Sequence, residues 1–250
     1  MKTALIYQPC GLGDILFLQK IARNFVSAGY QVYWPVVHEF KWLSDYIPDI
    51  NFVSWGDEAK HLTGPPLPDS VVFPYKEYYS PNTPTSMPKD DLIFFQGFIN
   101  VSPIMAGKYN SVHVDWRDWR DYIKFNRNTE KENQLFYDVL GLKDDEEFKF
   151  VNRMFCMRPK IEIDTRIPVL TSPIKVVELD VYKDFSLFDW CKVFEKAKRI
   201  DMIETSLNYL FESPQLFETM KTKELNLYSR HNNFSEVSYL FNLPWNYKYA

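Results

Sequence analysis

The residues Gly11-Leu12-Gly13-Asp14 stand between a short apolar run, Thr3 to Tyr7, and an amphipathic stretch, Ile15 to Ala28. Two glycines let the backbone turn tightly and come close to a ligand. A helix starting there offers unpaired N–H groups and the positive end of its dipole. Two readings of Asp14 stay open. As an N-cap it satisfies the first amides of the helix. As a general base it faces the carboxyl end of the strand, where ligands bind in open α/β sheets, and takes the proton of an acceptor hydroxyl. The third glycine and the downstream acidic residue of a dinucleotide site are missing, which argues against NAD chemistry.

Three further segments carry reactive groups. In Ile203-Glu204-Thr205-Ser206-Leu207-Asn208-Tyr209-Leu210 a strand ends at Glu204, and Thr205 and Ser206 open a helix. Hydroxyls and amides at a helix start can seat a phosphate, and the same pattern also makes a plain Thr or Ser cap. Arg153, in Val151-Asn152-Arg153, follows a strand and is either a diphosphate ligand or an exposed loop arginine. Asp115-Trp116-Arg117-Asp118-Trp119-Arg120 can stack on bases or sugars, but Trp packing inward with Arg paired to Asp is the favoured reading. His38, His61, His113 and His231 are scattered without metal-ligand spacing, so no metal site is expected. No Ser-His-Asp set and no P-loop pattern occurs.

The elements that position these groups alternate. Residues 3–7, 31–37, 51–55, 70–74 and 92–95 read as strands, and 15–28, 40–46 and 129–140 as helices. In the second half, 148–152, 175–179, 199–203 and 224–228 read as strands, and 186–197 and 205–211 as helices. Gly29 and Gly141 stand where helices end. The opening β–turn–α–β, with short connections, implies a parallel sheet with a right-handed crossover. Two α/β domains are expected, residues 1–140 and 141–250.

Bulk composition narrows the class. The formal net charge is −4 with no lysine run, so overall charge gives no help to nucleic-acid binding. Aromatic residues make up 17% of the chain, enough to supply flat surfaces for sugars or bases. Cys10, Cys156 and Cys191 lie far apart, against a disulfide framework or zinc site and for a reducing compartment. No apolar run approaches a membrane span. A soluble cytoplasmic protein is expected, and nothing specifies its oligomeric state.

Taken in order, these pieces resemble a reduced GT-B glycosyltransferase, and most of all the ADP-heptose transferase-like family, glycosyltransferase family 9. Gly13-Asp14-Ile15-Leu16 and the helix to Ala28 are similar to that family's opening. The resemblance implies two Rossmann-like domains facing a cleft, the second trimmed, with Asp14 as catalytic base and Gly11 and Gly13 on the acceptor side. The family's Asp-Thr-Gly-x-x-His motif is matched by Glu204-Thr205-Ser206-Leu207-Asn208-Tyr209. Thr205 is kept, Glu204 replaces Asp, Ser206 replaces Gly, and Tyr209 stands where His is usual. With Arg153, these residues are implied to bind the donor diphosphate. The expected reaction is inverting, metal-independent transfer of a sugar from a nucleotide-sugar, a co-substrate with no other cofactor, to a hydroxyl. The acceptor is a glycan or, as with small phage GT-B enzymes, a hydroxymethylated DNA base. The alternatives are a non-catalytic nucleotide-sugar-binding module and an interaction protein of the same fold.

Overall fold

The computed structural model describes residues 2–9, 11–54, 92–96, 104–110, 112–157, 160–167, 174–230 and 238–249. The expected strand at 70–74, and His61, Cys10 and His231, lie outside the described residues. The chain forms two compact units, Met1–Phe125 and Asn126–Ala250.

The first unit follows the alternation of its sequence. It runs β1 (Lys2–Tyr7), α1 (Leu12–Phe17), α2 (Gln19–Ser27), β2 (Tyr30–Val36), α3 (Leu43–Tyr46), β3 (Asn51–Ser54), β4 (Leu92–Gln96) and α4 (Ile104–Asn110). The sheet order is β3-β2-β1-β4, parallel throughout. Central β1 buries Ala4, Leu5 and Ile6 on both faces, as a strand covered on two sides must. The helix starts three residues earlier than its periodicity suggests. Gly11, at φ +82°, takes the N-cap position, so Leu12 to Asp14 already form the first turn. Leu18 marks a break between α1 and α2. Gly29, at φ +84°, closes α2 in the left-handed conformation that favours glycine.

The second unit runs α5 (Thr129–Asn133), β5 (Phe148–Asn152), β6 (Met154–Met157), β7 (Lys160–Ile163), β8 (Lys175–Glu178), α6 (Cys191–Lys196), β9 (Arg199–Ile203), α7 (Ser206–Phe211), α8 (Phe217–Met220), β10 (Glu224–Tyr228) and β11 (Asn246–Lys248). Its parallel sheet has the order β11-β10-β9-β5-β8, and β6 and β7 form a separate antiparallel hairpin. The helical stretch 129–139, grouped above with the first domain, belongs to this unit. Phe136 packs on Phe148 at 6.2 Å, and Arg127 joins Glu132 to Glu195 of α6. Past Asn133 it continues as a π-helical segment, Gln134–Val139.

The two faces of the second sheet differ. Phe150 meets Trp190 and Phe194 edge to face, and Phe194 meets Phe211 the same way, on one face, with centroid separations of 5.0–6.0 Å. The opposite face carries charge. Asp201 of β9 accepts from Arg199 and from Asn226 of β10, both at 2.8 Å, and lies 3.7 Å from Lys149 of β5. Both hydrogen bonds go to Oδ1, one from its own strand and one from adjacent β10.

Candidate active site

The first unit gathers its reactive groups at the carboxyl end of β1. Gln8 and Pro9 follow the strand. The Trp34 indole donates to the Gln8 carbonyl at 3.0 Å, and Val37 N donates to the Pro9 carbonyl at 2.9 Å, which ties the turn to β2. Gly11 then reverses the chain and Gly13 lies within α1, half-buried. Asp14 is the third residue of α1, and that helix has no side-chain cap. The capping reading of Asp14 is therefore corrected: Gly11 occupies the cap position, and the Asp14 carboxylate is directed elsewhere.

That carboxylate forms an ion pair through Oδ1 with Lys108 of α4. The Lys108 side chain is 3% exposed and that of Asp14 30%. Lys108 also donates to Gln8 Oε1 at 2.9 Å. Oδ2 lies against Gly11, where an added Cβ would stand only 2.3 Å from it. Gly11 is thus favoured by its φ, and a side chain there would also have to displace the carboxylate. Next to Lys108, Tyr109 sets its ring edge-on to Phe17 at 4.8 Å and donates to the Phe17 carbonyl. Burial pushes its phenol well above the usual range.

The Trp- and Arg-bearing segment is mainly packing. Trp119 is fully buried against Phe17 at 5.0 Å. Lys20 of α2 donates to the Asp115 carbonyl at 2.6 Å and pairs with Asp118. Arg117 remains exposed, 5.7 Å from the Trp116 ring. Its backbone N–H, donating to Asp115, holds that carboxyl below its ordinary value.

In the second unit Arg153 follows β5, and Glu204, Thr205 and Ser206 follow β9, the adjacent strand, while Tyr209 lies further on within α7. Thr205 caps α7: its Oγ1 accepts from Leu207 N at 3.4 Å, and Asn208 Oδ1 accepts from Thr205 N at 2.9 Å. Asn152, at the end of β5, donates to Thr205 Oγ1 at 3.4 Å. Glu204 is buried, and its Oε1 lies 3.8 Å from Arg230. Ser206 is half-buried at the first position of α7. Tyr209 is buried edge-on against Phe241 at 5.1 Å. Arg153 gives its Nε to Glu178 at 2.6 Å, which raises the guanidinium pKa. Its two terminal nitrogens have no bonding partner among the described residues.

Sequence reasoning passed over Gln8, Lys108, Asn152, Asn208, Arg166 and Arg230. Arg166 pairs with Asp164 and donates to the Ser229 carbonyl beyond β10, which keeps the Asp164 carboxyl below its ordinary value. Gln8 and Asn152 carried a usable signal, a polar residue ending a buried strand. Lys108 carried none, being 94 residues from its partner. No group of three or more His, Cys, Asp or Glu residues suited to a metal ion occurs among the described residues. No helix among them is long and apolar enough to cross a membrane.

No protein-family model matches the sequence, and no curated protein matches it. Among solved structures, the chain is similar to "the glycosyl transferase family 9 from Veillonella parvula DSM 2008". The likeness covers 99% of this chain and 86% of that one, at 9% identity and a TM-score of 0.51. It is also similar to the iron-containing dodecameric glycosyltransferase TibC from enterotoxigenic E. coli H10407, over 100% of this chain and 64% of that one, at 11% identity and a TM-score of 0.49. E. coli heptosyltransferase WaaC with ADP is similar over 92% of this chain and 86% of that one, at 12% identity and a TM-score of 0.38. At 9% identity the first likeness is one of fold: mixed α/β with parallel, Rossmann-like sheets.

Proposed function

We propose that this protein is a glycosyltransferase that moves a sugar from a nucleotide-sugar to an acceptor hydroxyl, with inversion and without a metal. One observation carries the reading. Asp14, at the carboxyl end of the central strand of a parallel sheet, is released from capping and keeps part of its carboxylate open to solvent. Ligands of open α/β sheets gather at that end. The likeness of fold to a glycosyltransferase family 9 protein supports the same assignment.

In this reading the first unit takes the acceptor and the second the donor, as in a GT-B enzyme. Asp14 receives the acceptor proton as the acceptor oxygen attacks the anomeric carbon. The departing diphosphate is met by the start of α7, at Thr205 and Ser206, and by the terminal nitrogens of Arg153, which Glu178 orients. Glu204 and Tyr209 shape that end of the sheet. The acceptor is a glycan or a hydroxymethylated DNA base, and the burial of Trp119 removes one of the two rings that could stack on a base. The scattered cysteines fit a cytoplasmic enzyme.

The test is Asp14→Asn, assayed for donor hydrolysis and transfer with UDP-, GDP-, ADP- and CMP-sugars. Turnover should fall by at least about 100-fold, the scale of a lost general base. Donor binding, read as a thermal shift, should persist. Full turnover in the variant refutes the role of Asp14. A second reading, a nucleotide-sugar-binding module without catalysis, is favoured by one observation: the Thr205 hydroxyl is committed to its capping box and Tyr209 to Phe241. A thermal shift with a sugar nucleotide and no turnover of it by the wild type would select that reading.

A further inference from the structure

The carboxylate of Asp14 is held from behind. The ammonium of Lys108 is buried on its far side and seated on Gln8 Oε1, itself in a side chain only 2% exposed. A lysine this deep sits where its partners place it. Tyr109, one residue on, fastens α4 to the Phe17 carbonyl, one turn beyond Asp14 in α1. Two links a turn apart leave α1 and α4 little freedom to slide. On the near side, Oδ2 lies over Gly11 and receives no hydrogen bond among the described residues.

We infer that Lys108, seated on Gln8, is the positioning residue of this site, fixing Asp14 Oδ1 so that Oδ2 is the oxygen offered to the acceptor hydroxyl. The inference rests on the transferase reading above. In the transfer the acceptor proton passes to Oδ2 and the acceptor oxygen bonds to the anomeric carbon. The bond from that carbon to the diphosphate oxygen breaks, and its electron pair leaves with the nucleoside diphosphate. A carboxylate held before the acceptor arrives does not spend its rotational freedom during the reaction.

The experiment uses the full chain with UDP-, GDP-, ADP- and CMP-sugars as probes, and reads kcat and donor KM separately. Lys108→Met keeps the apolar stem and removes the ammonium. It should lower kcat on the order of 10–100-fold, as a misplaced reacting group does. Donor KM should stay within about twofold, because the donor does not touch this group. In the Asp14→Asn background, Lys108→Met should cause no further loss, since groups acting as a unit are not additive. If Lys108→Met does not fold, Gln8→Met removes one seat of the ammonium and should lower kcat at unchanged donor KM.

Outcomes separate cleanly. Turnover lost in Asp14→Asn but retained in Lys108→Met, or in Gln8→Met where Lys108→Met does not fold, overturns the positioning role and leaves the transferase reading standing. An equal fractional loss from Lys108→Met in both backgrounds makes the lysine purely structural and overturns it too. No turnover by the wild type with any probe defeats the transferase reading itself, and the inference with it.

Discussion

Gly11→Ala tests the site geometry without any ligand. Position 11 has φ +82°, and an added Cβ would stand 2.3 Å from Asp14 Oδ2. Position 29 has φ +84° with nothing within 4 Å of an added Cβ, so it isolates the backbone cost. A residue with a Cβ held in this left-handed region costs about 1–2 kcal/mol. Gly29→Ala should therefore lower the stability by about that much, or a Tm drop of about 2–4 °C per kcal/mol for a chain of this size. Gly11→Ala carries the same backbone cost plus the eviction of the carboxylate, which breaks its pairing with buried Lys108. Leaving a buried donor without its charged partner costs about 1–3 kcal/mol more. Thermal or urea unfolding of both variants gives the difference. In an Asp14→Ala background the collision is gone, and Gly11→Ala should cost no more than Gly29→Ala. Equal costs at the two glycines in the otherwise wild-type chain would refute the placement of Asp14 over Gly11.

Two further outcomes concern the second unit. Arg153→Met should raise donor KM about tenfold or more, the size of one charge-assisted contact to phosphate, while Glu178→Gln, which only loosens the guanidinium, should raise it less; equal KM values across wild type and both variants would remove Arg153 from the donor site. Burial, with Glu212 next in effect, pushes the Tyr247 phenol up to about 12. Between about pH 10, where an unfolded tyrosine titrates, and that value the unfolded chain gives up a proton the folded chain retains. This contribution is therefore whole below the window and lost as pH rises through it. Tyr247→Phe should flatten that alkaline loss in urea unfolding, and a decline as steep as in the wild type would count against the assignment.

How much was legible in the sequence follows from the range of each interaction. The β–turn–α–β opening is local: an apolar run in residues 3–7, a helical stripe to Ala28 and a glycine at 29 all act within a few residues. The cap of α7 is local as well, since Thr205 and Asn208 are three apart. The start of α1 falls three residues ahead of its apolar periodicity because Gly11 takes the cap position itself, which puts Asp14 inside the helix. The split between the units at 125/126 depends on Phe136 meeting Phe148 and Arg127 meeting Glu195, contacts that no local pattern announces. The hairpin β6–β7 and the edge strand β11 are only three or four residues each, too short for a periodic signal. Lys108 is the extreme case: it sits in a short stretch from Ile104 to Asn110 that carries no chemical signature of its own.

That difference in range bears on how the site works. Asp14 is placed by groups from three separate elements: Gln8 after β1, Gly11 at the head of α1 and Lys108 on α4. The start of α7 is placed mostly by its own next residues, with Asn152 a long-range partner of the Thr205 hydroxyl among the described residues. A local cap forms whenever its helix forms, so that end of the sheet needs little of the rest of the unit. The carboxylate is oriented only when β1, α1 and α4 are all assembled. Its geometry should therefore be lost with the unfolding of the first unit as a whole. Amide exchange offers the check: protection of Ile15 and Leu18, whose N–H groups donate to Gly11 and Asp14, should match that of β1. Faster exchange at those two amides than in β1 would mean that the turn opens alone, and that Lys108 does not clamp it.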